Sequence, residues 1–321
     1  MSTTFSRRQF FGSSMAATVA AGMSGAGSLA RAQAPTTSAK PFRFRYGLNT
    51  GTIRGYKLGF AEQVEVAGQA GFEGIEPWMS DVEKFVQGGG SLKDMGKHCK
   101  DLGLAVYGGI GFASWIVDDE QQRAKGGERL KQEMDWLAQL GGTHIAAPPA
   151  GANRQCAKLD PDRMAERYRA ILELGRQSGV IPQLEIWGSS VNLSKLNEAL
   201  DVAARAGHRD ACILADVFHL YRGGTDFSAL RLLGRQVVHD FHMNDYPATP
   251  ERATITDAHR IWPGDGIAPL KQILGILAAN HCDVFLSIEL FNAEYWKQPV
   301  ALTAATGLAK MKASVAAAGL A

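Results

Sequence analysis

Residues 181–187 read Ile181-Pro182-Gln183-Leu184-Glu185-Ile186-Trp187, a short run that is largely apolar and carries a carboxylate near its end. Three more runs of the same kind follow: Ile213-Leu214-Ala215-Asp216, Val238-His239-Asp240-Phe241-His242 and Phe285-Leu286-Ser287-Ile288-Glu289. Runs of this length and composition read as buried strands, and strands buried on both faces belong to parallel sheets covered by helices. A charged group at the end of each is costly unless it is paired or bound to a cation.

Working outward, the same alternation fills the chain from residue 44 onward. The predicted strands are Phe44–Asn49, Gly74–Trp78, Ala105–Phe112, His144–Ala147, Pro182–Trp187, Cys212–Phe218, Val237–Met243 and Val284–Leu290. Helical periodicity marks Phe60–Ala70, Leu92–Leu102 and Gly127–Leu140, and Asp160-Pro161-Asp162 caps a further helix running to Ser178. Gly71, Gly103, Gly141, Gly179 and Gly207 stand where helices should stop. Eight such units predict a single-domain (β/α)8 TIM barrel over residues 44–321. The competing fold is an open doubly wound sheet. It would place a glycine-rich phosphate loop after the first strand, where this chain has Thr50-Gly51-Thr52-Ile53-Arg54-Gly55.

Residues 1–32 read as a twin-arginine signal peptide, with Arg7-Arg8 ahead of a mildly apolar stretch rich in Ala, Gly and Ser, and Ala30-Arg31-Ala32 as the processing site. Residues 33–43 form a linker. The expectation is a periplasmic or secreted protein that meets the twin-arginine export machinery and has no stable membrane anchor. The leader holds three arginines and no acid, so removing it leaves 31 basic residues against 32 acidic ones. A near-neutral body gives no electrostatic reason to expect a nucleic-acid partner. Cys99, Cys156, Cys212 and Cys282 form no C-x-x-C pair and read as packed thiols, with a disulfide left open by the oxidising compartment.

In a barrel, the C-terminal ends of the strands form the active-site mouth. Glu185, Asp216, His242 and Glu289 reach that mouth from four consecutive strands. Three carboxylates crowded there would repel, and a divalent cation removes that cost. Oxygen donors with one imidazole suit Mn²⁺ best, with Mg²⁺, Co²⁺ or Zn²⁺ as alternatives. Trp115 and Trp187, with Trp78, are candidates to stack on a sugar face. Glu76 reads as one half of a structural ion pair, with a contact to a substrate hydroxyl as the alternative, and His144 and His239 lie at the wrong end of the barrel for chemistry.

At these motifs the chain resembles the xylose-isomerase-like TIM-barrel family, which includes ketose 3-epimerases, hydroxypyruvate isomerases and inosose dehydratases. The resemblance covers about residues 44–316 and is carried by Leu184-Glu185-Ile186, Asp216-x-x-His219, His242-x-Asn244-Asp245, Arg260-x-x-Pro263-Gly264-x-Gly266 and Ile288-Glu289. It implies that Glu185, Asp216, His242 and Glu289 bind one metal. It further implies that Glu185 and Glu289 act as the acid–base pair, and that His219 and Arg260 contact substrate oxygens. The implied activity is metal-dependent isomerisation or epimerisation of a small sugar or keto-sugar through an enediolate. Loss of a β-hydroxyl at the same site would give lyase or dehydratase chemistry on a keto-sugar, cyclitol or keto-glycoside. A carbohydrate-binding barrel without turnover is the non-enzymatic alternative, and a homo-oligomer is left open. An apurinic endonuclease-like zinc hydrolase would share Glu185, Asp216, His219, His242 and an Asp257-x-His259 pair. It would also need histidines at the ends of strands three and four, where Phe112 and Pro148-Pro149 stand.

Overall fold

The computed structural model describes residues 42–320. The predicted leader and all but the end of the linker therefore lie outside the described residues. Eight parallel strands follow in order: β1 (Arg45–Asn49), β2 (Gly74–Glu76), β3 (Ala105–Val106), β4 (His144–Ala147), β5 (Ile181–Glu185), β6 (Ile213–Asp216), β7 (Asp240–Met243) and β8 (Phe285–Ile288). They hydrogen-bond in the order β3-β2-β1-β8-β7-β6-β5-β4. The remaining gap is closed by the Ala146 amide, which donates to the Gly109 carbonyl at 2.9 Å. The sheet thus curls into a TIM barrel, and the open-sheet alternative falls away.

Helices alternate with the strands: α1 (Phe60–Ala70), α2 (Met79–Gln87), α3 (Leu92–Asp101), α4 (Glu120–Leu140), α5 (Pro161–Ser178), α6 (Leu196–Ala206), α7 (Val217–Gly223), α8 (Leu270–Ala279) and α9 (Val300–Ala317). Helix α9 packs on α1 and β1, so the last helix lies beside the first. The five glycines expected to stop helices all have positive φ, between 57° and 86°. Each bends the chain back toward the next strand without the Cβ clash that other residues would meet there. Among the described residues no helix is long and apolar enough to cross a membrane. All four cysteines are free thiols.

Several boundaries differ from the sequence expectation, and two of them have a clear local reason. Strand β6 stops at Asp216 because that side chain caps α7, accepting from the His219 amide at 2.9 Å. The Asp216-x-x-His219 spacing is therefore the spacing of an N-cap and its third helical residue. Strand β3 is regular only over Ala105–Val106, and pairing with the β2 chain resumes at Trp78 and Ile110. Three residues then oppose two, a bulge that falls at Tyr107-Gly108-Gly109. A Cβ on Gly108 would lie 2.9 Å from Glu76 Oε1, so a side chain there would push the Glu76 carboxylate out of place.

Candidate metal centre and active-site mouth

Strand register sets the height of each functional side chain. Glu185 pairs with Leu214, Asp216 with His242, and His242 with Ser287. Carried across β5 to β8, the register partner of Glu185 is Phe285, and Glu289 stands four residues beyond it. A closed barrel of eight tilted strands shifts register by about one residue per strand at constant height. The stagger therefore brings all four residues to one level at the mouth.

Asp216, His242 and Glu289 converge: each offers one ligand atom, and these atoms lie within 4.8 Å of one another. All three are buried. His242 Nδ1 faces Asp216 Oδ2 at 3.5 Å and Glu289 Oε2 at 3.2 Å, and it has no hydrogen-bond partner. Burial alone would lower the His242 pKa, but the carboxylates of Glu289, Glu76 and Asp216 outweigh it and hold the ring well above its usual range. Burial would likewise raise Asp216, yet Arg260, His219 and His242 hold it far below the usual carboxylate value. A pocket of this donor set, with an orphaned imidazole nitrogen between two carboxylates, fits a divalent cation.

Glu185 stands apart from this cluster. The structure brings together three of the four expected ligands, and Glu185 instead forms part of the wall of the adjoining cavity. Glu185 reaches the same level of the mouth but lies outside the 4.8 Å grouping of ligand atoms. Glu185 Oε2 is buried without a partner, and burial, with Glu289 nearby, pushes its pKa up to about 8.

Arg260 is the cation present among these acids. Its Nη1 donates to Asp216 Oδ2 at 2.9 Å and to Glu289 Oε2 at 2.8 Å, and its Nη2 to Asp257 Oδ1 at 2.6 Å. Nη2 also lies 3.0 Å from His219 Nε2. Burial and the neighbouring guanidinium both lower the His219 pKa, so that ring is neutral at physiological pH. The motif around Arg260 has a mechanical explanation. Asp245 accepts from the amides of Gly264 and Gly266, both at 3.0 Å, and of Ala268 at 2.9 Å. Asp245 and Ile261 also exchange backbone hydrogen bonds at 2.9 Å. The turn after Arg260 is thereby fixed to the end of β7, beside His242. A Cβ on Gly266 would lie 2.3 Å from Asp245 Oδ1, which accounts for the second glycine of the motif.

The mouth opens into a cavity of about 260 Å³ that Glu185, His219, Arg260 and Glu289 share with Trp78, Phe112, Trp187 and Phe291. That volume lies just below the roughly 300–1,000 Å³ of drug-sized pockets and suits a small molecule. The aromatic rings form a chain: Trp78 lies 5.1 Å from Phe112 and 6.0 Å from Phe291, and Phe112 lies 6.1 Å from Trp187. Arg54 stacks over Trp78 at 4.4 Å.

Trp187 thus stands where the sequence placed it, but Trp115 does not. Trp115 is 1% exposed, donates its indole N–H to the Pro148 carbonyl at 2.8 Å, and packs against Tyr168. The expectation that it contacts a sugar is corrected: the segment after β3 folds the ring inward, under the loop that follows β4. His259, half of the endonuclease-like pair, hydrogen-bonds Thr256 at 2.9 Å and is absent from the cluster.

Sequence reasoning gave no role to Asn49, and named Asn244 only as part of a motif. Asn244 donates to both Asp216 oxygens, at 3.2 and 3.1 Å, and accepts from the Phe218 amide at 2.9 Å, which locks the Asp216 carboxylate. Asn49 donates to Glu289 Oε1 at 3.2 Å. The available signal was an amide side chain ending an apolar strand, a buried polar group that must find partners.

Residues 64–313 match the family described as xylose isomerase-like TIM barrel. An inosose isomerase of Bacillus velezensis is 25% identical over 170 residues, covering 52% of this chain and 60% of that protein. A 3-dehydroshikimate dehydratase of Pseudomonas aeruginosa is 25% identical over 256 residues, covering 77% of this chain and 38% of that protein. The match thus spans less than two thirds of either relative. Among solved structures, the IOLI protein with a bound zinc atom superposes with a TM-score of 0.75 at 20% identity, over 85% of this chain and 98% of that one. The two sequence relatives are enzymes, and with its sequence match, barrel and convergent acidic mouth this chain belongs to the xylose isomerase-like TIM barrel family.

Proposed function

We propose that this chain is a divalent-metal-dependent isomerase or epimerase acting on a small sugar or keto-sugar by proton transfer at carbon. The observation that carries the proposal is the convergence of Asp216, His242 and Glu289 around an orphaned imidazole nitrogen, beside a cavity walled by Glu185. Asp216, His242 and Glu289 are the residues that would hold the ion, and Glu185 stands beside them on the cavity wall. Mn²⁺ is the preferred ion for this donor set, and the zinc atom of the IOLI structure makes Zn²⁺ the second choice. When bound, the ion supplies Lewis-acid stabilisation of negative charge developing on neighbouring substrate oxygens.

The chain's own residues divide the proton transfer. Burial would raise the Glu289 pKa, but His242 and Arg260 hold it ionised, which suits a base. Glu185, raised to about 8 with Oε2 unpartnered, holds a proton that it can deliver to the opposite face. Neutral His219 and the Arg260 guanidinium orient substrate oxygens, and Trp187 with Phe112 covers the sugar and excludes water. Return of the proton to the same carbon inverts it, and return to the neighbouring carbon isomerises the sugar.

A second reading is lyase or dehydratase chemistry on a keto-sugar or cyclitol. It is favoured by the match to the 3-dehydroshikimate dehydratase over 77% of this chain. The test is a screen of metal-loaded protein against unphosphorylated sugars, keto-sugars and cyclitols in D₂O. Deuterium at carbon supports proton abstraction whatever the product. Glu289→Gln should abolish that exchange, whereas Glu185→Gln should retain exchange and lose product. Near-normal turnover in both variants contradicts the proposed roles.

The proposal includes a site of action outside the cytoplasm, reached by twin-arginine export. Arg7→Lys combined with Arg8→Lys should hold the chain in the cytoplasm on cell fractionation, and normal export of that variant contradicts it.

A further inference from the structure

We infer that Glu76 is a positioning residue for the metal centre: it fixes the His242 ring so that Nδ1, and not Nε2, points at the ion. The inference rests on the metal site proposed above. Glu76 ends β2, three strands away from β7 around the ring, and is 1% exposed. One oxygen, Oε2, gathers three side chains: Asn49 Nδ2 at 2.8 Å, Ser287 Oγ at 2.7 Å and His242 Nε2 at 3.1 Å. Such convergence leaves the imidazole one orientation, with Nδ1 toward Asp216 and Glu289.

The anchoring continues in both directions. Ser287 accepts from the Tyr107 hydroxyl at 2.7 Å, which ties the carboxylate to the buried middle of the barrel. Asn49, held by the Trp78 indole N–H at 3.1 Å and the Gly51 amide at 2.8 Å, donates to Glu76 and to Glu289 Oε1. A single carboxylate thus sets one ligand directly and another through one amide. The bulge at Tyr107-Gly108-Gly109 makes room for it, since a Cβ at Gly108 would press on the Glu76 carboxylate. Carboxylates that hold the far nitrogen of a ligand histidine fix its orientation and its basicity.

The test is zinc affinity of the full chain by calorimetry, with ¹⁵N NMR of the His242 ring in the zinc-loaded state. Wild type should show Nδ1 on the metal and a protonated Nε2. Glu76→Gln should bind zinc about 10–100-fold more weakly while keeping its circular dichroism spectrum. Ser287→Ala, a milder loss of one donor, should weaken binding several-fold and covers the case in which Glu76→Gln does not fold. Glu133→Gln, at a carboxylate equally buried but outside the site, should bind as wild type. Zinc on Nε2, or wild-type affinity in both Glu76→Gln and Ser287→Ala, overturns the inference and leaves the metal site standing. No zinc bound by wild type overturns both.

Discussion

Arg260 Nη1 sits 2.8 Å from Glu289 Oε2, the same oxygen that faces His242 Nδ1 at 3.2 Å. The guanidinium therefore neutralises the acids that would otherwise hold a metal ion, and a bound ion would relieve it of that task. Arg260→Met should leave Asp216 and Glu289 buried without their partner, at a cost of roughly 3–5 kcal/mol in metal-free protein. Thermal melts with and without Mn²⁺ check this: the variant should melt well below wild type without metal and gain more from added metal. Equal melting of the two metal-free proteins contradicts it.

Two of the three tryptophans expected to touch substrate should behave differently. Trp187→Ala, at the cavity wall, should raise KM for the substrate found in the exchange screen and leave the melting temperature nearly unchanged. Trp115→Ala should cost roughly 3–5 kcal/mol, the scale for emptying a core aromatic site. Denaturant titration and steady-state kinetics separate the two. A selective KM effect from Trp115→Ala would restore it to the binding site.

At the opposite end of the barrel, His144 stacks on His239 with ring centroids 4.3 Å apart. Burial, and then the neighbouring His239, push the His144 pKa down to about 3 from 6.5. Because the folded pKa is depressed, the unfolded chain binds the extra proton. Stability is complete above pH 6.5 and falls as pH drops toward about 3. His144→Phe keeps a stacked ring and removes the titration, so its stability should fall less steeply across that window in denaturant melts at stepped pH. Identical slopes contradict the assignment.

Much of the barrel was legible because strand and helix periods differ and glycines mark the helix ends. Helix α1 falls on the predicted residues, Phe60–Ala70. The acids and His242 were legible because a charge at the end of an apolar strand is conspicuous. Trp115 was not, because sequence places a residue after a strand without saying which way the loop folds its ring. The role of Glu76 was not legible because its partners, Asn49, Ser287 and His242, come from three other strands and meet only when the barrel closes. That Glu185 lies outside the three-residue cluster depends on how the side chains converge at the mouth, which the hydrophobic pattern of a strand does not specify.

The central claim is the metal centre, and elemental analysis of the purified chain tests it most directly. About one divalent ion per chain is predicted, retained through desalting and lost in Asp216→Ala and in His242→Ala while both variants keep the barrel's circular dichroism spectrum. Wild type that holds no divalent ion after incubation with Mn²⁺ or Zn²⁺, three zinc ions per chain, or full occupancy in both variants would contradict it.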